Sequence, residues 1–143
     1  MKITTIGLDI AKKFFQLHWV DMTTGEVHRK QLKREQMAEF FANCEPSVVA
    51  MEACGSAHYW ARKLGAFGHE VRLVAAQFVR PFVKTNKTDA ADARAIWEAA
   101  QRPEMKFVAI KTEAQQSVLT LHRLREQMVK LRTMQTNQLR GLL

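Results

Sequence analysis

The first ten residues of the chain place the strongest constraint on what it can fold into. Residues 3–10 read ITTIGLDI, a run of apolar and β-branched side chains that ends just before two lysines. Such a run is typical of a β-strand with both faces covered. We therefore expect it to lie inside a sheet that has helices packed on it.

Asp9 is the unusual residue of this predicted strand. Side chains alternate along a strand, so Asp9 shares a face with Thr5 and Gly7. A carboxylate in apolar surroundings is costly unless it meets water, a base or a metal ion. Gly7 leaves bare backbone, which would let a ligand approach closely. The alternative is an aspartate at a strand end that faces solvent.

The next part of the chain alternates between strand-like and helix-like patterns. Residues 14–20 and 26–32 are predicted to be strands joined by short turns, which makes an antiparallel meander with the first strand. Helical spacing over 34–44 precedes a short apolar strand, 47–52, that ends on Glu52. A helix over 57–66, with Ser56 as its N-cap, and a strand over 70–74 follow. The prediction is an α/β fold with a mixed five-stranded sheet.

A second pair of carboxylates lies at the start of an alanine-rich helix. Asp89 and Asp92 are three residues apart, so both project from its first turn, with Thr88 as the N-cap. Acids at this position also interact favourably with the helix dipole, and this alternative needs no ligand.

Asp9, Glu52, Asp89 and Asp92 form a set that suits a metal centre. The first and fourth strands are expected to be neighbours, and the late helix can cover that edge. Carboxylate oxygens are the ligands preferred by Mg²⁺ or Mn²⁺. Two such ions would stabilise both the attacking and the leaving oxygen of a phosphodiester displacement.

The charge of the chain favours a polyanionic partner. The net charge is +8, and residues 80–143 hold 12 basic against 6 acidic side chains. Nucleic acid is the first candidate partner and an anionic membrane surface the second; a merely solvated basic surface is the alternative. The expected phosphate contacts are Lys12, Arg80, Lys84 and Lys87. Phe78 and Phe82 lie among these basic residues in a predicted loop, 75–87, where they either stack on bases or pin the loop to the core.

The rest of the composition points to a reducing compartment. Only two cysteines occur, without a Cys-x-x-Cys pair, and neither a signal peptide nor a membrane-spanning run is present. We expect a cytoplasmic protein with no membrane association.

The last part of the chain predicts a long helix over 112–139. Its apolar residues follow a 3-4-3 spacing that is typical of a short coiled-coil seam, namely Leu121, Leu124, Met128 and Leu131. We expect two regions, a folded domain over 1–110 and a dimerisation helix over 111–143. The apolar end of the sequence suggests a fragment of a longer protein.

Four segments resemble one family of known proteins. They are GLDIAK (7–12), MEACGS (51–56), KTNKTDAADA (84–93) and NQLRGLL (137–143). They are similar to the N-terminal DEDD domain of insertion-sequence transposases that carry a RuvC-like nuclease. The resemblance covers nearly the whole chain and implies an RNase H-like fold of the RuvC type.

The resemblance also implies a function. It makes Asp9, Glu52, Asp89 and Asp92 the metal-binding tetrad for DNA cleavage and strand transfer in transposition. Similar family members use a structured guide RNA and carry a C-terminal domain with a serine nucleophile, which this sequence lacks.

Two other classes of protein remain as alternatives. A non-catalytic, basic, dimeric nucleic-acid-binding module would use the acids only as helix caps. An actin-like ATPase also begins with a meander, but it needs glycine-rich turns to hold phosphates, and these are missing here.

Overall fold

The computed structural model describes residues 4–83 and 89–143. The chain divides into two compact units, 1–110 and 111–143. The first unit contains a mixed sheet with helices on both faces, and the second is a single long helix.

The sheet begins with the predicted antiparallel meander. The strands β1 (Thr5–Ile10), β2 (Phe14–Val20) and β3 (Val27–Lys33) follow one another with short turns. Asp21 holds the second turn, because its carboxylate accepts hydrogen bonds from the backbone N–H groups of Thr23 and Thr24. Gly25 also belongs to this turn, and its φ of 74° lies in the region that favours glycine.

The second half of the sheet adds parallel strands on the other side of β1. A 3₁₀ turn (Arg34–Gln36) leads into α1 (Met37–Ala42), and β4 (Val48–Glu52) then pairs parallel to β1. Helix α2 (Gly55–Ala66) crosses over to β5 (Glu70–Val74), which pairs parallel to β4. The helix begins one residue before Ser56, the predicted N-cap, and Cys54 occupies the capping position.

The remaining elements complete the first unit and form the second. Helix α3 (Ala76–Val79), a 3₁₀ turn (Arg80–Phe82) and α4 (Asp89–Ala100) lead to β6 (Phe107–Val108). Helix α5 (Glu113–Arg140) forms the second unit. Thr112 caps it by accepting a hydrogen bond from the backbone N–H of Gln115.

The sheet has six strands in the order β3-β2-β1-β4-β5-β6, one more than predicted. The added strand, β6, pairs antiparallel with β5 through Leu73 and Val108. Two residues are too few to show a strand pattern in a sequence, and their conformation depends on the neighbouring strand. The predicted loop 75–87 is also corrected, since residues 76–82 are helical.

A buried histidine joins α1 to the start of the parallel strands. The backbone N–H of Ser47 donates to His69 Nδ1 over 3.2 Å, so His69 Nε2 carries the proton and donates to the carbonyl oxygen of Phe41 over 2.8 Å. This pair of bonds fixes the segment between α1 and β4. None of the helices described is both long and apolar enough to cross a membrane.

Candidate metal and nucleic-acid site

Two of the predicted site carboxylates end neighbouring parallel strands. In the register of β1 and β4, Gly7 pairs with Ala50 and Leu8 with Met51. One further step along both strands places Asp9 beside Glu52. Both side chains are half-buried, and both lie on the sheet face shared by Gly7 and Ala50. The prediction that the first and fourth strands are neighbours is confirmed.

Helix α4 covers the same face at very short range. A Cβ atom added to Gly7 would lie 2.7 Å from the Cβ of Trp97 and still closer to the carbonyl oxygen of Ala93. Trp97 Nε1 donates a hydrogen bond of 3.1 Å to the carbonyl oxygen of Thr5. Gly7 was predicted to admit a ligand, but a helix backbone takes that space. The absence of a side chain at Gly7 is therefore required for α4 to pack.

These contacts fix the direction of α4 along β1. One turn of α4, from the carbonyl oxygen of Ala93 to the backbone N of Trp97, lies over Gly7. The Trp97 indole reaches Thr5, and Trp97 lines a cavity with Met22, beyond the end of β2 that lies beside Thr5, so the C-terminal part of α4 lies toward Thr5. Asp9 is about two strand residues, or one helical turn, from Gly7 in the other direction, and we therefore expect it near the level of the first turn of α4. That turn contains Asp92, which is half-buried like Asp9 and Glu52.

The side chains do not form a closed metal cage in this structure. Among residues 4–83 and 89–143, no three His, Cys, Asp or Glu side chains are close enough together to hold a metal ion. This result includes Asp9, Glu52 and Asp92. Asp89 begins α4, but its side chain lies outside the described part of the chain. The residues still fit a divalent ion chemically, because Asp9 and Glu52 end neighbouring strands on one rim of the sheet and carboxylate oxygens are ligands that such ions prefer.

Comparison with known proteins decides the family. A model of the DEDD transposase family of the IS110 type matches residues 6–143. The chain belongs to this transposase family.

Two curated relatives agree with this result. The transposase chain is 54% identical over all 143 residues to a Pseudomonas aeruginosa protein named "Probable family 20 transposase". It is 45% identical over 141 residues to the Yersinia enterocolitica transposase for insertion sequence element IS1328. The chain spans 42% of the length of each of these relatives.

A solved structure agrees with the fold. The chain is similar to T. thermophilus RuvC in complex with a Holliday junction substrate, with a TM-score of 0.50 and 15% sequence identity. The match covers 75% of this chain and all of the RuvC chain. The predictions of an insertion-sequence transposase domain and of a RuvC-type, RNase H-like fold are confirmed.

A buried histidine lies beneath the carboxylate rim of the transposase. His18 pairs with Gly7 across β1 and β2, and its ring packs edge-on against Trp97, with centroids 5.6 Å apart. Its Nδ1 atom has no hydrogen-bond partner within the described residues. Burial lowers the pKa of His18 below its ordinary value, and the charges of Arg29 and Arg94 lower it further, while Glu98 opposes them. The sequence gave no sign of this contact with α4, because Trp97 is far from His18 along the chain.

Two of the four predicted phosphate-binding residues lie within the described part. Lys12 is exposed in the turn that follows β1, and Arg80 is exposed at the start of the 3₁₀ turn after α3. Lys84 and Lys87 lie outside the described residues. Phe82 packs against the buried cluster under α4, whereas Phe78 is exposed, so only Phe82 pins its segment to the core.

Proposed function

We propose that this chain is the metal-dependent nuclease domain of an insertion-sequence transposase. In this proposal Asp9, Glu52, Asp89 and Asp92 would bind two Mg²⁺ or Mn²⁺ ions, and the domain cleaves DNA and transfers strands. The observation that supports it is the contact of α4 with Gly7, because α4 thereby covers the sheet face on which Asp9 and Glu52 lie.

The residues of the chain have a defined task in this chemistry. Bound divalent ions would supply charge stabilisation for the attacking and leaving oxygens of a phosphodiester. The carboxylates would hold these ions, and the strands β1 and β4 and the helix α4 carry these carboxylates. Carboxylates without a cation repel one another, so we expect the acids to draw together when a divalent ion binds.

The proposed partners are DNA and a structured guide RNA, met in the cytoplasm. The net charge of +8 and the exposed Lys12 and Arg80 support this proposal. Replacing both residues by alanine should weaken binding equally across sequences and reduce the salt slope by about two. An unchanged slope would contradict their role as phosphate contacts.

We also propose that α5 pairs with its copy in a homodimer. The four seam residues are exposed on the helix, between 47% and 67% of their surface: Leu121, Leu124, Met128 and Leu131. An exposed apolar stripe of this spacing is stabilised by a second helix. Light scattering should show a dimer that Leu124→Glu converts to a monomer. A wild-type monomer at high concentration would refute the pairing.

The metal proposal is tested by thermal stability. An ion that binds only the folded chain stabilises it by about 1.4 kcal/mol at ten times its dissociation constant. Mg²⁺ or Mn²⁺ should therefore raise the melting temperature of the wild-type chain. Asp9→Asn and Asp92→Asn should each remove most of this gain, because each deletes one negative charge at nearly constant size.

Asp21→Asn is the matched control, since Asp21 lies in the β2–β3 turn and accepts hydrogen bonds from backbone N–H groups there. The Asp21→Asn variant should keep the full rise in melting temperature that Mg²⁺ or Mn²⁺ gives the wild type. In the full-length transposase, Asp9→Asn should abolish DNA cleavage and leave nucleic-acid binding intact. Cleavage at the normal rate by that variant would overturn the proposal. A wild-type chain that gains no stability from either ion would favour the non-catalytic binding module.

A further inference from the structure

A basic cavity lies at the same rim of the sheet, beside the turn that follows β1. Its volume is about 660 Å³, within the range of small-molecule sites. Five basic side chains and one acidic side chain, that of Glu35, line it. The basic residues are Lys12, Lys13, Lys33, Arg34 and Lys63.

The five positive charges of the cavity outnumber the single negative charge of Glu35. Among the residues that the structure describes, no carboxylate forms an ion pair with any of the five. Like charges gathered around one concave surface raise its potential and attract anions. A phosphate group is a suitable ligand, because lysine and arginine side chains bind its oxygens through charge-assisted hydrogen bonds.

Aromatic rings form one wall of the cavity. Trp60 is almost fully buried, and its ring carries two cations, with Lys63 Nζ 5.5 Å and the Arg34 guanidinium carbon 5.7 Å from the centroid. Trp60 Nε1 has no acceptor within the described residues. Tyr59 packs edge-on against Trp60 and remains 46% exposed, so its ring is accessible to a flat ligand. Rings beside unpaired cations fit a base and its phosphates better than they fit a free inorganic anion.

The position of the cavity relates it to the carboxylates. Lys12 lies two residues beyond the end of β1, the strand that carries Asp9. The cavity and the carboxylates thus lie at the same end of β1 but on different faces of the sheet, since Tyr59 and Lys63 belong to α2 whereas Asp9 shares the α4 face with Gly7.

We propose that this cavity binds an unpaired nucleotide of a single-stranded nucleic-acid segment, with the base on Tyr59 and the phosphates at the five basic side chains. The inference rests on the proposed function, and it adds a second binding surface to it. No residue of this cavity other than Lys12 was indicated by the sequence.

The experiment measures binding of the 143-residue chain to oligothymidylate and oligouridylate probes of roughly 12 nucleotides, a length within the usual site size. A DNA duplex of equal length is the third probe. Tyr59→Leu should weaken binding of at least one single-stranded probe about tenfold, with the salt slope unchanged and duplex binding unaffected. Lys63→Ala should weaken binding of the same probe and reduce the salt slope by about one.

Matched controls lie at the opposite edge of the sheet, next to or in β6. Phe107→Leu removes an exposed ring that also carries a cation, that of Arg72, and Lys106→Ala removes an exposed charge. Both should bind all probes as the wild type does. All four altered residues are wholly or partly exposed, so melting curves should show folded protein throughout.

The outcomes separate the two proposals. If the two cavity variants bind only the oligothymidylate probe more weakly, the cavity holds a DNA strand. If they bind only the oligouridylate probe more weakly, it holds an RNA strand. If binding of the two probes weakens equally, the cavity recognises the base and phosphate that DNA and RNA strands have in common. If the wild type binds but Tyr59→Leu and Lys63→Ala bind equally well, the cavity proposal is wrong and the nuclease proposal stands. A wild type that binds no probe contradicts both.

Discussion

The two faces of the sheet are packed with side chains of very different size. The face under α1 and α2 buries large residues, among them Phe15, Phe41, Met51 and Leu64. The face under α4 is bare at Gly7 and buries mainly alanine and valine: Ala50, Val74, Val79, Ala95, Ala99 and Ala100, with Ile96.

Large buried side chains contribute most of the hydrophobic free energy, whereas small ones let two backbones approach closely. The difference suggests a division of tasks. The first face stabilises the unit, and the second sets the distance between α4 and the carboxylate rim.

The largest expected effect is the loss of a large side chain from the first face. Phe41 is fully buried and packs edge-on against Phe40 and His69. Phe41→Ala should lower the free energy of unfolding by about 3–5 kcal/mol, measured by urea denaturation. Met22→Ala, at an exposed turn position, should change it by less than about 0.5 kcal/mol. Mg²⁺ should still raise the melting temperature of folded Phe41→Ala protein. If it does not, the two faces do not have separate tasks.

A smaller but more specific effect is expected on the second face. In Gly7→Ala the added methyl group would overlap the backbone of α4, so the free energy of unfolding should fall by about 1–3 kcal/mol. The helix must shift, and the gain from Mg²⁺ should therefore disappear with it. Gly65→Ala is the control, because nothing lies near its added methyl group within α2, and it should be neutral or stabilising. A Gly7→Ala chain that keeps the full gain from Mg²⁺ would show that α4 does not set the site.

The smallest expected effect is a pH dependence of the free energy of unfolding that comes from His18, on the second face. Burial holds the pKa of His18 below the ordinary value of 6.5. As the pH falls below 6.5, the unfolded chain takes up a proton that the folded chain resists, so the free energy of unfolding falls. The slope cannot exceed about 1.4 kcal/mol per pH unit for one group. About one pH unit or more above 6.5, the histidine is neutral in both states and contributes almost no slope.

His18→Gln should flatten this slope in melting experiments between pH 5 and 7, roughly the range in which histidine titrates. The exposed His122 of α5 provides the control, and His122→Gln should keep the wild-type slope. If the two variants behave alike, His18 is not the group responsible.

The sequence predicted the parts of this structure that depend on local patterns. The meander, the neighbouring positions of β1 and β4 and the helix that begins near Asp89 all follow from periodicity and caps. Strand β6 could not be predicted, because its two residues become a strand only through pairing with β5.

The candidate site, too, was predicted only where it depends on local sequence patterns. The position of Asp9 at the end of a strand was evident, but the contact of Trp97 with Thr5 joins residues 92 positions apart and leaves no local signal. The basic cavity was missed for the same reason, since Lys12, Lys33 and Tyr59 come from separate parts of the chain. The convergence of the four carboxylates stays a prediction.

The contact between Trp97 and Thr5 also has a consequence for the order of events during synthesis. Strand β1 is among the first elements to leave the ribosome, and α4 is made only after β5 and the residues that follow it. Until then, the helix that covers Gly7 in the folded chain is missing. A nascent chain that stops before α4 therefore holds Asp9 and Glu52 without Asp89 and Asp92. Incomplete translation products would carry half of the proposed nuclease centre and should be unable to cut DNA.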